Sequence, residues 1–332
     1  MLRYFSIKMV GRKGQNGYNS FNMNNSAGST TLRKVNTIPY LTWNWLKMNG
    51  ASVEVQNDIK TVTETFSEKD KFKVIELNYS DGEKLCHEQN VTVAPESELT
   101  LIMNYTSDRK SQGFSEIRTK VHVQKNAKLH LVKVQLLGQG FTQIDDTQIT
   151  CDEGAFADFT QIELGGAQIY ANLQTQLSGE HSKFNSDTAY IAAKNQLLDM
   201  NYESVHTAPH TDTTMTVKGT VADNALKTYR GTIDFKNGCA GATGDEQEET
   251  LLLGEKAVNK SIPMILCGEE DVSGTHGATL GRLGAEELFY FQSRGVSEAD
   301  AQKIMTKAKV LAVANLINDE ATVQKISDFL EN

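Results

Sequence analysis

The sequence predicts a mainly β protein, built as a parallel β-helix with a small helical domain at its C-terminal end. Between residues 72 and 244, short apolar runs rich in Val, Ile, Thr and Tyr alternate with turn pairs such as Asp81–Gly82 and Asn237–Gly238. No convincing crossover helix interrupts this region, which is long for one sandwich or barrel but is readily accommodated by stacked coils. No strict short repeat is visible, so an irregular solenoid is favoured over a regular hexapeptide helix.

The chain divides into four predicted segments. Residues 1–34 are rich in Asn, Gly, Ser and Lys and lack an apolar leader region, which predicts a disordered tail. Residues 35–71 contain both tryptophans and are interpreted as an aromatic segment docked on the core. The parallel β-helix is predicted over 72–281 and the helical domain over 282–332, and the chain is expected to turn helical after Glu246.

A capped helix is predicted to begin at Ser297, because an acidic residue, Asp300, follows three positions later. Helical spacing then gathers apolar side chains into a broad stripe. The stripe includes Ile304, Met305, Ala308 and Leu311. Since it is wider than a short helical tail needs, we expect it to pack on the solenoid or to be covered partly by a partner.

Composition excludes several classes of function. The formal net charge of -9, from 42 acidic and 33 basic residues, argues against a nucleic-acid partner. No run approaches the roughly 18 apolar residues of a membrane-spanning helix, so no membrane association is expected. The four cysteines are far apart and form no CxxC pair, which is typical of reduced thiols in the cytoplasm rather than of a zinc knuckle or a disulfide framework.

The spacing of His206 and His210 suggests a metal motif, but the chain between them argues against one. Pro209 disfavours the continuous helix that would bring both rings to one face. In an extended strand the two positions would lie roughly 13 Å apart, too far to share one ion. Metal binding by this pair is therefore not expected.

Signals for an enzyme are weak. The segment Gly238–Gly244 lacks the Lys-Ser/Thr of a phosphate-binding loop, which argues against nucleotide hydrolysis by this chain. The adjacent acids Asp145 and Asp146 could serve a β-helical carbohydrate enzyme, but we interpret them as solvated turn charges. Cys267 lies in an apolar run and is expected to be a small buried hydrophobe.

His276 is the residue to which the sequence assigns a site. Its neighbours are small, with Gly274 before it and Gly277 after it, so no bulky side chain would cover the imidazole. We expect an accessible ring at an edge of the solenoid.

The C-terminal third resembles the SufB/SufD family of iron–sulfur cluster assembly scaffolds. The ordered set of short motifs that carries the resemblance is Asn201–Tyr202, His206–Thr211, Lys218–Gly219, Tyr229–Gly231, Leu251–Gly254 with Ala257, Ile262–Pro263, His276–Thr279, Leu288–Tyr290 and Ser293–Gly295. Single motifs are weak, but the set in this order is specific over residues 200–315.

The resemblance implies a right-handed parallel β-helix and a non-catalytic subunit that works with a SufB-like scaffold and a SufC-like ATPase. It also implies a transient iron–sulfur cluster at the SufB–SufD interface, where a SufB Cys and a SufD His are the proposed ligands and His276 is the matching position. The isolated chain is expected to hold no stable cluster and could form a homodimer. In this family the helical domain is used for docking, so the stripe at Ile304 is a candidate ATPase-binding surface.

Within the family the chain is SufD-like. SufB-like chains carry Glu-His-Glu-Ala-Thr at this site, where Thr275–Thr279 reads Thr-His-Gly-Ala-Thr, and a Cys at a position that corresponds to about Glu248. Many SufD chains have a Cys two residues before the His, whereas this chain has Gly274. Cys267 is the distant substitute. The competing interpretations are a β-helical carbohydrate-active enzyme and a structural solenoid without metal.

Overall fold

The protein is a parallel β-solenoid in which the chain alternates between two sheets of eight strands each. The computed structural model describes residues 30–41, 44–56, 59–66 and 71–331. Each solenoid strand pairs in parallel with the strands one coil before and one coil after it, so consecutive coils stack along one axis. The prediction of a mainly β, parallel solenoid followed by helices is confirmed.

Two antiparallel strands precede the solenoid, β1 (Thr30–Val35) and β2 (Ala51–Gln56), with one 3₁₀ turn at Asn44–Leu46 between them. We call the two sheets of the solenoid the odd sheet and the even sheet. The odd sheet contains β3 (Lys60–Phe66), β5 (Lys84–Val93), β7 (Gln112–Val123), β9 (Gly140–Cys151), β11 (Gln168–Leu177), β13 (Leu197–His206), β15 (Leu226–Phe235) and β17 (Val258–Cys267). The even sheet contains β4 (Phe72–Tyr79), β6 (Glu98–Ser107), β8 (Lys128–Leu136), β10 (Phe156–Glu163), β12 (Lys183–Ala192), β14 (Asp212–Ala222), β16 (Ala242–Leu253) and β18 (Val272–Gly281). Three helices follow, α1 (Ala285–Ser293), α2 (Glu298–Ala314) and α3 (Glu320–Glu331). The expectation of helical structure directly after Glu246 is wrong, because strands continue to Gly281 and complete the last coil.

Strand register explains how short apolar runs become one continuous core. Phe184 of β12 pairs with Ala157 of β10, which pairs with Leu129 of β8, and all three side chains are buried in the main core. Side chains alternate across a strand, so each inward position lies beside the same position of the next coil. Turn residues between the runs let the chain change sheet without a crossover helix.

The outer face of the even sheet is covered by the helices. Val134, Ile162 and Ala189 are register partners on β8, β10 and β12, and they pack in one cluster with Val310 and Val313 of α2. The helices therefore bury a second apolar face of this sheet. No helix in the described ranges is long and apolar enough to cross a membrane.

Helix α3 extends back over the first coils. Asn104 of β6 donates a hydrogen bond of 2.9 Å to the hydroxyl of Thr322, and the Lys325 ammonium lies 2.5 Å from the Glu76 carboxylate of β4. Since α2 contacts β10, β12 and β14, the two helices together span the sheet from its later coils to its early ones.

The N-terminal strands cover the outer face of the odd sheet. Val53 and Val55 of β2 pack against Phe114, Ile144 and Tyr170. This arrangement shifts two predicted boundaries. Residues 30–34, assigned to the disordered tail, form most of β1, and parallel pairing begins at Lys60 rather than at residue 72. The remainder of that tail, residues 1–29, lies outside the described residues.

Residues 36–49 dock on the core, but not through Trp45. The Trp45 side chain is 78% exposed, because it stands on the 3₁₀ turn and faces solvent, whereas Ile38 and Met48 are buried. Trp43 lies outside the described residues. The expectation of an aromatic anchor is therefore wrong for Trp45.

A buried polar cluster fixes this docked segment. Arg230 of β15 makes a bidentate pair with Asp199, at 2.6 and 3.1 Å, and its Nε donates to the Met48 carbonyl at 2.6 Å. Asn36 completes the cluster by donating to the Asp199 side chain at 2.7 Å and to its carbonyl at 2.8 Å. All three guanidinium nitrogens of Arg230 thus donate hydrogen bonds, and we call these residues the Arg230 clamp.

Candidate functional site

The C-terminal end of the solenoid presents two edge strands. β17 is the last strand of the odd sheet and β18 the last strand of the even sheet, so each pairs with only one neighbour among the described strands. His276 lies in the middle of β18, opposite Glu246 of β16 in the parallel register. The candidate ligand is therefore on the strand that terminates the sheet.

The imidazole of His276 faces the interior of the solenoid. The neighbouring Thr275 hydroxyl donates to the Asp245 carboxylate in an exposed contact, so the next side chain along the strand lies on the opposite, inward face beside Glu246. The residue is half-buried. Its Nδ1 is inaccessible to solvent and has no hydrogen-bond partner among the described residues. The ring is less exposed than the flanking glycines suggested, because strand alternation turns it inward.

The space beside the Gly274 Cα is occupied by neighbouring side chains. A Cβ at this position would lie 2.9 Å from the Phe235 ring and 3.0 Å from a methyl group of Ile265. A side chain as large as Cys would therefore have to displace the aromatic ring. The inward space that a thiol at this position would need is occupied by Phe235 in this chain.

Cys267 is exposed, and the expectation that it is a buried hydrophobe is wrong. It is the last residue of the edge strand β17, opposite Phe235, and no further coil of the described residues covers it. Partial burial, with the nearby Asp234 carboxylate, raises the pKa of its thiol. Buried Cys239 lies close by, and burial followed by the charge of Glu269 raises its pKa to about 11. Both groups are thiols at neutral pH unless a metal or a cation stabilises the thiolate.

A buried polar cluster lies behind β18, formed by side chains of β15, β16 and β17. Lys227 forms an ion pair with Glu248, and Ser261 and Thr250 also donate to that carboxylate. Glu248 occupies about the position that corresponds to a Cys in SufB-like chains. Here it is a carboxylate balanced by a cation and two hydroxyls.

Glu246 lies in the same cluster without a cation of its own. Burial, and then the neighbouring Glu248 carboxylate, raise the pKa of Glu246 to about 8. Burial also lowers the pKa of Lys227 and raises that of Tyr229. The Tyr229 hydroxyl is buried and lies beside the Glu246 carboxyl at Gly231. At neutral pH Glu246 is therefore largely protonated.

Glu246→Gln is expected to flatten the dependence of stability on pH. The pKa of Glu246 is about 8 in the folded chain against an ordinary 4.5, so between these values the folded state keeps a proton that the unfolded state has released. This contribution to stability is complete below pH 4.5 and is lost as the pH rises to 8. The melting temperature should therefore drop between pH 5 and pH 8.5, and this drop should be larger in the wild type than in Glu246→Gln.

The matched control for this measurement is Glu255→Gln, which removes an exposed carboxylate next to the same strand. It should follow the wild-type pH profile. Parallel profiles for wild type and Glu246→Gln would show that the buried carboxyl is not protonated in the folded state.

The two histidines of the HxxxH pattern occupy different environments. His206 is buried, with Nδ1 2.7 Å from the Thr211 hydroxyl and its ring 4.8 Å from that of Phe235, and burial lowers its pKa to about 4. His210 is exposed at a turn with φ of 55° and stacks on His181. No three His, Cys, Asp or Glu side chains in the described ranges form a group that could hold a metal ion.

The acidic pair lies on a strand and not in a turn, so its interpretation as solvated turn charge is wrong. Asp145 is buried in β9 and pairs with Lys133 at 2.5 Å, while the next residue, Asp146, accepts a hydrogen bond from Asn172. Successive strand residues face opposite sides of the sheet. The two carboxylates therefore do not converge at the roughly 5 to 9.5 Å needed for glycoside hydrolysis.

The predicted stripe on α2 is largely a surface feature. Ile304 is 47% exposed, Ala308 is exposed, and Met305 and Leu311 are half-buried. The buried face of α2 consists of Ala301, Val310, Val313 and Ala314. Most of the stripe thus remains outside the contact with the solenoid. We call Ile304, Met305, Ala308 and Leu311 the outer stripe.

Sequence reasoning missed the buried acids behind β18. The signal that could have found them is the run Asp245–Glu249, in which four of five residues are acidic within a strand. Strand alternation requires every second one to face inward, which selects Glu246 and Glu248. The partner Lys227 could not be assigned without the strand pairing.

Comparisons with known proteins show which family the sequence resembles. Residues 77–309 match the family described as SUF system FeS cluster assembly, SufBD core domain. The chain is 26% identical to the iron–sulfur cluster assembly protein SufD of Escherichia coli over 240 residues, which is 72% of this chain and 57% of that protein. It is 24% identical to SufB of Bacillus subtilis over 186 residues, or 56% of this chain and 40% of the relative. The chain thus spans about half the length of these curated relatives.

Proposed function

The chain belongs to the SufBD family, and we propose that it is a non-catalytic scaffold subunit of iron–sulfur cluster assembly, which works with a SufB-like scaffold and a SufC-like ATPase. The observation that carries the proposal is the position of His276 on the terminal edge strand of the solenoid. Edge strands offer unpaired backbone groups to a second chain. A partner that continues the sheets there would bring its own side chains next to the imidazole.

In this proposal the iron–sulfur cluster is cargo, and the chain contributes one imidazole, that of His276, to it. Imidazole suits iron, but thiolates dominate the binding of iron–sulfur clusters. One His, with Cys267 exposed at the end of the neighbouring edge strand, gives few ligands, so thiolates of the SufB-like partner would supply the rest. The cluster would therefore be transient and shared, with none stable on the isolated chain.

The ion pair of Glu248 with Lys227 supports a division of roles in which this chain supplies an imidazole and the SufB-like partner supplies the thiolates. A SufB-like chain would place a thiol near this position, whereas here the carboxylate is held by Lys227 and Ser261. Both oxygens of this buried carboxylate already accept hydrogen bonds inside the solenoid, from Lys227 and Thr250 on Oε1 and from Ser261 on Oε2. The chain would thus complete a site whose thiolates come from the other subunit, and in isolation two copies could pair through the same edge strands.

Anaerobic co-expression with a SufB-like scaffold and a SufC-like ATPase is the experiment that tests this function. We expect a complex that is recovered with iron and sulfide, and we expect the isolated chain to cleave no glycan. If the chain purifies alone under these conditions, with neither partner retained, the scaffold assignment is overturned.

The outer stripe of α2 is the surface we propose for the ATPase. Ile304→Asp is expected to reduce co-purification of the SufC-like ATPase several-fold, because a carboxylate in an apolar interface would be desolvated without a partner. The fold should be retained, since Ile304 is already about half exposed. The measurement is the ratio of the subunits in the affinity-purified complex.

Leu32→Asp is the matched control. It replaces another exposed aliphatic side chain, 67% exposed on β1, with the same charge. ATPase recovery equal to wild type in Ile304→Asp, with an intact fold, would place the docking surface elsewhere.

A further inference from the structure

A cleft of about 410 Å³ lies between the end of α3 and the turns that join the two sheets. Its volume falls in the range of roughly 300 to 1,000 Å³ that is usual for small-molecule sites. Apolar side chains from three successive coils and from α3 form much of its wall. They are Leu137, Leu164, Ile191, Phe329 and Leu330. The cleft is far from His276 in the fold, since its solenoid walls belong to coils in the middle of the molecule.

Two cations also line the cleft, Arg109 and Lys194. Neither forms an ion pair with a carboxylate of the described residues, and the described lining of the cleft contains no Asp or Glu. Arg109 is oriented by the helix, because its guanidinium lies 4.0 Å over the Phe329 ring and donates to the Phe329 carbonyl. The Asp223 carboxylate accepts from the Lys194 backbone amide, and the Lys194 ammonium stays outside ion-pair distance of every described carboxylate.

We propose that this cleft binds an amphipathic organic anion, whose carboxylate or phosphate contacts Arg109 and Lys194 while its apolar body lies against the aliphatic wall. A neutral apolar ligand would cover the two cations without compensating their charge, which costs free energy. A small inorganic anion would leave the apolar wall unfilled. The apolar wall and the two cations together therefore favour a molecule that has both an anionic headgroup and an apolar body.

Lys194 offers a conservative test of the anionic contact. Its backbone is held at φ of 59° in a turn, a region that Asn adopts readily, so Lys194→Asn removes the charge without straining the turn. Lys47→Asn is the matched control, because Lys47 is also exposed and has φ of 55°, in the segment between β1 and β2. Ala193 lines the cleft, and Ala193→Phe would fill part of it.

The probe is 8-anilinonaphthalene-1-sulfonate, an aromatic anion whose fluorescence increases in apolar sites. It is titrated into the full chain and then displaced by decanoate, decyl phosphate or decanol. We expect both anions to displace the dye and decanol to do so poorly. Lys194→Asn should weaken dye binding by up to about five-fold, as for one exposed charge contact, and Lys47→Asn should leave it unchanged. Stronger displacement by decanoate or by decyl phosphate would identify which headgroup the cleft prefers.

Ala193→Phe should abolish the displaceable signal while circular dichroism shows a wild-type fold. If that variant does not fold, Ala167→Leu, at another lining position, serves the same purpose. Equal displacement by decanol and decanoate would overturn the proposal, because the cations would then have no role. A signal unaffected by both filling variants would also overturn it, since the dye would then lie on another surface such as the outer stripe.

Discussion

His276→Ala is expected to lower the iron and sulfide recovered with the anaerobically purified complex to less than about half of the wild-type content. The imidazole is the only His side chain placed on the terminal edge strands β17 and β18, and its loss removes the contribution of this chain to a shared site. Folding and partner association should change little, because the ring is only half-buried at the end of the solenoid. Iron and acid-labile sulfide per complex, with the visible absorbance of the cluster, are the measurements.

His210→Asn is the control for this experiment. His210 is exposed at a turn, stacked on His181, and Asn tolerates its positive φ. It has no reason to act as a ligand, so its complex should carry the wild-type cluster content. Equal iron and sulfide in the wild-type and His276→Ala complexes would remove His276 from the site while leaving the scaffold role untouched.

Arg230→Ala is expected to destabilise the fold by about 3–5 kcal/mol, the usual cost of breaking a buried ion pair. The change leaves the Asp199 carboxylate buried without its cation and the Met48 carbonyl without its donor. It therefore loosens the docked segment as well as the sheet. Chemical denaturation monitored by circular dichroism gives the free energy of unfolding.

Arg33→Ala is the matched control, because it also removes an Arg–carboxylate contact between an N-terminal strand and the odd sheet. Its partner Glu116 keeps a second contact, with Arg118 at 2.7 Å, so the loss should stay below about 1 kcal/mol. A loss equally small for Arg230→Ala would mean that the clamp contributes little beyond its desolvation cost.

The fold class could be predicted because it depends on local signals. Turn pairs such as Asp81–Gly82 and short alternating runs predict a succession of short strands and turns. The N-cap at Ser297, whose hydroxyl accepts from the Asp300 amide, marks the start of a helix. Burial in three dimensions was harder to predict. Trp45 is apolar yet exposed, and Cys267 follows an apolar run yet ends an edge strand.

The polar clusters could not be predicted because they depend on register. Lys227 meets Glu248 across 21 residues of sequence, and Arg230 meets Asp199 across 31. A shift of one residue in either strand would turn these side chains to the opposite face. The assignment of His276 as a cluster ligand came from its motif and stays a prediction, whereas its inward orientation could be read only from the pairing of β18 with β16.

The return of α3 over the first coils has a consequence for how the molecule opens. A solenoid held only by contacts between neighbouring coils can unzip from either end, and its terminal coils then exchange amide hydrogens fastest. Here the contacts of Thr322 and Lys325 tie the initial coils to a helical segment more than 200 residues later in the chain. Opening the early coils therefore requires release of α3, so β4, β6 and this helix should gain and lose protection together rather than fray independently.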